Sequence, residues 1–367
     1  MDRPYVLLSC AMSLDGRIDH GGPERLVLSN EADLDRVDQE RAACDAILVG
    51  AGTLRRDDPR LLVRSAARRA RRAAAGLPDS PLRVAVAGGP LSPSLRFFEG
   101  SGERLVYCPS PAVEPLRRRL GAIATVADAG EPLDLDGVLH DLAARGVRRL
   151  MVEGGTTIHT QFLAAGLADE LQLAVAPFLV GAGARFLGDA AFPHDARHRM
   201  TLAEARPVGD MVLLRYLLTE RARDRHWLKR AIDLSRRCRP SRAAYSVGAV
   251  VVSADGQVLA EGWSRQTDER VHAEESALAR LERGDPRLAG ATLYSSLEPC
   301  SQRRSRPLSC TRLILSAGVG RVVFALPEPR LFVDCRGAEE LAEAGVAVAE
   351  LAELADQVRA VNAHLLG

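Results

Sequence analysis

The chain has 367 residues, enough for two domains, and is 47% apolar but only 4% aromatic, so its cores must rest on Leu, Val and Ala. With 49 basic against 48 acidic side chains and a net charge of +1, the composition argues against a general nucleic-acid or membrane-surface binder. Seven thinly spread cysteines make no disulfide framework and point to a reducing cytoplasm; the opening MDRPYVLLSCAMSLDGRID has no signal-peptide stretch, and no run approaches the ~18 apolar residues of a membrane span.

Strand-like and helix-like segments alternate along the chain. A strand over 4–12 leads through a polar turn, SLDGRIDHGGPE, to a helix near 30–43 in which Leu34, Val37 and Ala42 form an apolar face. A buried strand over 45–50 runs into a turn at Gly52-Thr53, and strands follow over 82–88 and 103–109. Next come a helix over 135–146, a strand over 148–155 ending in a glycine pair, and a helix over 156–166. Strands over 169–181 and 211–218 complete this half, the second of them at the sheet edge. The alternation implies a largely parallel α/β sheet with its sites at strand ends. The Arg-rich stretch 68–78 reads either as an RNA-holding arm or as a solvated helix or loop.

A charged connector, TERARDR (219–225), separates the halves and sets domains at 1–220 and 221–367. Beyond it lie a helix over 226–238, a polar loop RPSRAAYS, and a hairpin of strands 247–253 and 257–263 about Asp255-Gly256. The remainder reads as helix 272–283, strand 291–298, helix 310–318, strand 321–327, helix 337–345, strand 346–351 and a last helix over 354–367.

The strongest chemical signal is His272-Ala273-Glu274, followed by Pro299-Cys300 and then Cys310. A catalytic zinc takes three protein ligands and leaves its fourth place to a water, whose pKa it lowers toward ~7. One His and two Cys supply that set. Glu274, at the start of a helix, can face the water without ligating the metal and move its proton. The H-x-E and P-C elements are those of zinc nucleoside deaminases. The competing reading is a structural zinc, which would normally want a fourth protein ligand, or a buried His beside unrelated cysteines.

The cysteines are separated by nine residues, in PCSQRRSRPLSC, where the general signature has two. Over roughly 226–350, through VGAVVV, HAE, GATLYSSLEPCS and AGVGRVVFA, the chain resembles the deaminase domain of the bifunctional riboflavin-biosynthesis deaminase/reductase (RibD-like) family, where a long loop separates the cysteines. It departs from that family in reading SRAAYSVG at a PNP-type turn. It also carries Gln302, Arg303, Arg304 and Arg306 in place of paired histidines. Guanidinium forks suit a substrate phosphate, and a solvated loop is the alternative.

Residues 3–218 resemble the reductase domain of the same family. The resemblance rests on Ser13-Leu14-Asp15-Gly16, DAILVGAGTLRRDDPRLLVR, Val152-Glu153-Gly154-Gly155 and LADELQLAVAPFLVG. It implies a dihydrofolate-reductase-like fold using NADPH, with Asp57 facing the substrate and Arg41, Arg64 and, more weakly, Ser29 on its 5′-phosphate. Gly50, Gly52 and Thr53 after one apolar strand, and Glu153, Gly154, Gly155 and Thr156 after another, are the cofactor candidates. Glycines there admit close backbone approach, and a helix starting at Thr156 can receive a phosphate; ordinary tight turns are the alternative. No GxGxxG occurs, so this is not a Rossmann site. Ser9 stands where the family often has a lysine.

Together these resemblances imply a dihydrofolate-reductase-like α/β domain followed by a cytidine-deaminase-like α/β/α domain, the reverse of the order in bacterial members. They imply ring deamination of a diaminopyrimidinone ribosyl phosphate and reduction of its ribosyl group to ribityl, with Zn2+ and NADPH. The partners expected are a small-molecule pyrimidine substrate and a second copy in a homodimer, with no nucleic acid and no membrane. Two alternatives are the same chemistries in a non-riboflavin pathway and a nucleic-acid-editing deaminase whose N-terminal half is not catalytic.

Overall fold

The computed structural model describes residues 3–366, apart from 23, 240, 283, 304 and 330–334. It divides into two compact units, Met1–Thr219 and Glu220–Gly367.

The first unit contains β1 (Tyr5–Ser13), α1 (Glu31–Ala42), β2 (Ala46–Gly50), α2 (Ala51–Asp57), α3 (Ala66–Ala74), β3 (Leu82–Val86), β4 (Arg104–Cys108) and α4 (Val113–Leu120). It continues with β5 (Thr125–Asp128), α5 (Leu135–Ala144), β6 (Arg149–Gly154), α6 (Thr156–Ala164), β7 (Glu170–Ala176), β8 (Thr201–Val208) and β9 (Met211–Leu217). Nine strands form one sheet in the order β5-β4-β3-β2-β6-β1-β7-β9-β8. Every pair from β5 to β7 is parallel, while β9 runs antiparallel to both β7 and β8. The central strands are continuous apolar runs because both faces are covered. Val6, Leu8, Leu48 and Val152 pack on one face with Phe162, and Leu7, Ile47, Val49 and Met151 on the other with Phe97.

Three sequence expectations change here. The strand at 211–218 is internal, and the edge is β8, whose polar TLAEARPV gives little apolar signal. The expected turn at Gly52-Thr53 is the first turn of α2, which leaves β2 with no intervening loop. The Arg-rich stretch is largely α3, and Arg68, Arg69 and Arg72 on it find partners within the protein. Arg68 pairs with Asp35 and Asp38, and Arg69 donates to the carbonyls of Val63 and Arg64. Buried Arg72 donates to those of Ala42, Cys44 and Pro78.

A buried network ties β7 to its neighbours. Glu170, 1% exposed, accepts hydrogen bonds from Tyr5 (2.7 Å), Gln172 (2.9 Å) and Arg215 (2.6 and 3.1 Å). Burial alone would raise its carboxyl, but Arg215, helped by Arg149, holds it at about 2 against an ordinary 4.5. The folded value lies below the unfolded one. Its stabilisation is therefore present above the unfolded value and lost as pH falls toward the folded one. Glu170→Gln is expected to flatten the loss of stability between about pH 5 and pH 2, read by denaturant unfolding at stepped pH.

The second unit contains α7 (Glu220–Ser235), β10 (Gly248–Val252), β11 (Val258–Trp263), α8 (Ala273–Leu278), β12 (Thr292–Ser295), α9 (Cys310–Ala317), β13 (Arg321–Phe324), α10 (Gly337–Glu343), β14 (Ala347–Glu350), α11 (Ala355–Val361) and α12 (Ala363–Leu366). Its sheet runs β11-β10-β12-β13-β14, antiparallel through β10 and parallel from β12 to β14. The hairpin read from Asp255-Gly256 joins β10 and β11. Gly262 matters for the site: a Cβ there would lie 2.4 Å from the Ala273 carbonyl oxygen, so glycine lets the first turn of α8 rest on β11.

The charged stretch 219–225 is not a connector, because α7 starts at Glu220. Asp224 is buried on that helix and accepts hydrogen bonds from Tyr294 (2.9 Å) and Arg321 (2.6 and 2.7 Å). α8 ends at Leu278, short of the expected 283, which lies outside the described residues. The expected last helix breaks at Asn362, whose side chain accepts from the Ser246 amide (2.7 Å) and donates to the Ser246 carbonyl (3.1 Å), tying down the loop before β10. Among the described residues no helix is long and apolar enough to cross a membrane.

Candidate active sites

Two helix starts and one strand exit build the first site. His272 is the N-cap of α8, and its carbonyl accepts from the Ser276 amide (2.9 Å). Glu274 falls in the same first turn. Cys310 opens α9, whose cap Ser309 accepts from the Arg312 amide. Cys300 follows β12 and is tied to α9 across the long loop, since its carbonyl accepts both the Thr311 amide (3.2 Å) and the Thr311 hydroxyl (2.9 Å). The metal-ligating atoms of His272, Cys300 and Cys310 lie within 4.8 Å of one another. His272 Nδ1 is 3.6 Å from Cys300 Sγ and 3.4 Å from Cys310 Sγ. The donor set, one imidazole nitrogen and two ionisable sulfurs, fits Zn2+. Among the described residues no fourth His, Cys, Asp or Glu joins the cluster, which matches an open site rather than a closed structural one.

Glu274 is 2% exposed, with Oε1 accepting from the Ser295 hydroxyl (2.8 Å) and Oε2 from the Cys310 thiol (3.2 Å). Burial raises its carboxyl above the usual range, with His272 opposing. Hydrogen bonding from Cys310 lowers the Cys300 thiol against the effect of burial, with His272 also lowering it, while Cys310 is raised. Glu298, next to the Pro299-Cys300 pair, accepts from the amides of Ala338 (2.9 Å) and Glu328 (3.1 Å) and fixes the exit of β12. Ser295, Thr311 and Glu298 were not singled out in the sequence, because their roles depend on which backbones the fold brings together.

Of the intercysteine arginines, Arg303 and Arg306 are engaged by groups of the protein itself. The Arg303 side chain is 2% exposed and donates to Glu275 (2.7 Å), to the Ser305 hydroxyl (3.0 Å) and to the Arg270 carbonyl. Arg306 pairs with Asp268 (2.6 Å). They anchor the loop to α8 and to the segment before it. Arg304 lies outside the described residues, and Gln302 lines the cavity beside the cluster.

The second site is a cleft of about 230 Å³ at the ends of β1, β2 and β6. Ser29, Arg41, Thr53, Asp57, Arg64, Glu153 and Gly155 all line it, together with Ser9 and Arg25. A chamber of about 440 Å³ shares Arg25, Arg41, Asp57 and Arg64 with it. Asp57 ends α2, and burial raises its carboxyl, with Arg25 opposing. Arg41 and Glu153 answer each other in a two-point pair (2.6 and 2.5 Å), so much of the Arg41 guanidinium is committed inside the protein. The Arg64 side chain is exposed, while its amide donates to Asp38.

Gly50, Gly52, Gly154 and Thr156 do not line the cleft. A Cβ on Gly50 would come 2.7 Å from Ile158, so that glycine serves the packing of α6 on β2, and Gly52 has open space around it. Gly154 and Gly155 have φ of +93° and +94°, a region costly for other residues. The Thr53 hydroxyl donates to the Gly154 carbonyl (2.9 Å) and would lie 2.8 Å from a Cβ on Gly155. A bare glycine turn at the start of the nine-residue α6 fits close approach of a cofactor phosphate. The Thr156 hydroxyl is already given to the Arg185 carbonyl.

The folds and sites define a two-domain enzyme that joins a reductase-type unit to a zinc-deaminase-type unit. The chain belongs to the RibD C-terminal domain family, whose model matches residues 4–214, more than half of its length. The cytidine and deoxycytidylate deaminase zinc-binding region matches residues 221–326. A 2,5-diamino-6-ribosylamino-4(3H)-pyrimidinone 5′-phosphate reductase of Archaeoglobus fulgidus is 40% identical over 181 residues, covering 49% of this chain and 83% of that protein. A diaminohydroxyphosphoribosylamino-pyrimidine deaminase of Schizosaccharomyces pombe is 37% identical over 142 residues, covering 38% of this chain and 35% of that one. The structure of Acinetobacter baumannii RibD aligns with a TM-score of 0.51 and 27% identity over 60% of this chain and 59% of its own. Reductase first and deaminase second is the order that the sequence implied.

Proposed function

We propose that the chain deaminates the ring of a diaminopyrimidinone ribosylamino 5′-phosphate and reduces the ribosyl group to ribityl, two steps of riboflavin synthesis. The observation that carries the deaminase half is the buried Glu274 carboxyl, held by Ser295 and Cys310 beside the His272–Cys300–Cys310 cluster. When bound there, zinc supplies the Lewis acid that makes a water nucleophilic near neutral pH. Glu274 would take one proton of that water and pass it to the ring nitrogen, and then pass the second, from the hydroxyl added to the ring carbon, to the amine, so that the C–N bond breaks, ammonia leaves and the C–O bond becomes a carbonyl. Ser295 keeps the carboxyl in place while it does so.

In the reductase half, NADPH when bound would supply the hydride to the substrate, and the Gly154-Gly155 turn at α6 would hold the cofactor, with Gly50, Gly52, Thr53, Glu153 and Thr156 as the further residues around that turn. Asp57 handles the proton that accompanies opening of the ribose ring, and Arg64, Arg41 and Ser29 receive the 5′-phosphate. The pair with Glu153 makes Arg41 a framing residue and leaves Arg64 as the principal charge. The substrate is a small molecule, the location cytoplasmic and the working form a homodimer. Ammonia release that needs zinc, together with NADPH oxidation that survives chelation, tests the division of labour. Asp57→Asn is expected to lower NADPH oxidation by about 10²-fold or more while ammonia release stays at the parent rate. Normal oxidation in that variant removes Asp57 from the site.

A further inference from the structure

The deaminase cavity is about 1060 Å³, more room than a pyrimidine ring beside His272 fills. Its buried wall carries Glu274 and Cys300, and its exposed rim carries Arg237, Arg239 and Arg270. The other arginines on the wall are committed. Arg303 is filled by Glu275, Ser305 and a carbonyl. Arg265 donates to the carbonyls of Arg239 (2.7 Å) and Tyr245 (3.0 Å) and to the Ser246 hydroxyl (3.0 Å). Among the described residues no carboxylate lies within ion-pair distance of Arg237, Arg239 or Arg270; besides Glu274, the acidic side chains lining the same cavity are Glu269, Glu298 and Glu328.

Two of these three are held in place by the scaffold. The Arg237 guanidinium sits over the Trp263 ring at 5.0 Å, which leaves the N–H edge of its plane free to face a ligand. Arg239 is held at its backbone, where its carbonyl accepts from the Arg265 guanidinium (2.7 Å). Guanidinium groups on the rim of one cavity, with no carboxylate paired to them, are suited to a phosphomonoester dianion.

We propose that Arg237 and Arg239, in the turn after α7, form with Arg270 the phosphate-binding end of the deaminase cavity. The deaminase then selects a 5′-phosphorylated substrate through this turn and not through the intercysteine loop. The inference rests on the functional reading above, and it names how that substrate is chosen.

The test compares ammonia release by zinc-loaded full-length protein from the diaminopyrimidinone ribosyl 5′-phosphate and from the dephosphorylated riboside. The parent is expected to show the lower KM for the phosphate, with inorganic phosphate a competitive inhibitor. In Arg237→Gln/Arg239→Gln, KM for the phosphorylated compound is expected to rise about 10- to 100-fold, while kcat and the riboside KM hold within about twofold. Arg270→Gln is expected to weaken inhibition by inorganic phosphate, a readout that does not depend on the double variant folding. Equal KM values for the two compounds in the parent, or a rise shared by both compounds in the variants, would overturn the inference and leave the function standing. A parent that deaminates neither compound overturns the function and the inference with it.

Discussion

Glu274→Gln is expected to lower deamination by about 10²- to 10⁴-fold while zinc content and NADPH oxidation stay at parent levels. The amide is nearly isosteric and can still accept the Ser295 hydroxyl at its oxygen. It cannot take a proton from water. Burial raises the carboxyl of Glu274, which brings it closer to the pH at which it must both accept and release a proton. Because the three converging ligand atoms belong to His272, Cys300 and Cys310, the substitution leaves the metal's donors intact. Ammonia assay, metal analysis and NADPH absorbance on one preparation read all three quantities. Retained deamination would remove Glu274 from the chemistry, and lost zinc would make it a ligand.

Cys310→Ser is expected to remove zinc, deamination and part of the stability of the second unit together, with reduction unaffected. Cys310 is fully buried at the start of α9, its sulfur 3.4 Å from His272 Nδ1. A serine hydroxyl is shorter, harder and far less readily ionised, so it replaces a thiolate poorly as a zinc donor. Changes one shell further out already cost about 10- to 100-fold in affinity, and loss of a direct ligand is expected to exceed that. Saturating zinc at about 100 to 1,000 times its Kd stabilises a folded protein by about 3–4 kcal/mol, so the variant should unfold earlier in a thermal scan. Chelation of the parent should reproduce that earlier unfolding, and added zinc should reverse it in the parent alone.

The site was legible in the sequence where its chemistry is local. His272 and Glu274 share one helical turn, and Cys300 and Cys310 stand at a strand exit and a helix start, so residue type and spacing identified them. What supports them was not legible. Ser295 reaches Glu274 only because β12 lies beside β10, and Thr311 reaches Cys300 only because α9 folds back over the nine-residue loop. Charge was the poorest guide. Arg303, Asp224 and Arg72 read as loop, connector and basic arm, yet each is a buried group whose partners, Glu275, Arg321 and the α1–β2 carbonyls, are set by tertiary contacts. The fold class followed from apolar strands alternating with helices. The polar edge strand β8 did not, because solvent on one side removes the apolar signal. In the reductase cleft Ser29, Arg41, Thr53, Asp57, Arg64, Glu153 and Gly155 converge while Gly50, Gly52, Gly154 and Thr156 do not, and the pairing of Arg41 with Glu153 needed coordinates to be seen.

The proposed pair of reactions is best tested on a diaminopyrimidinone substrate with each step separable. Mass spectrometry of products from the diaminopyrimidinone ribosyl 5′-phosphate, with the zinc-loaded protein and with or without NADPH, does this directly. Without NADPH the expected product is one in which an amino group has become a carbonyl oxygen; with NADPH it carries two further hydrogens on the sugar. An unchanged substrate under both conditions, or NADPH oxidation with no ribityl product, would contradict the proposed pair of reactions.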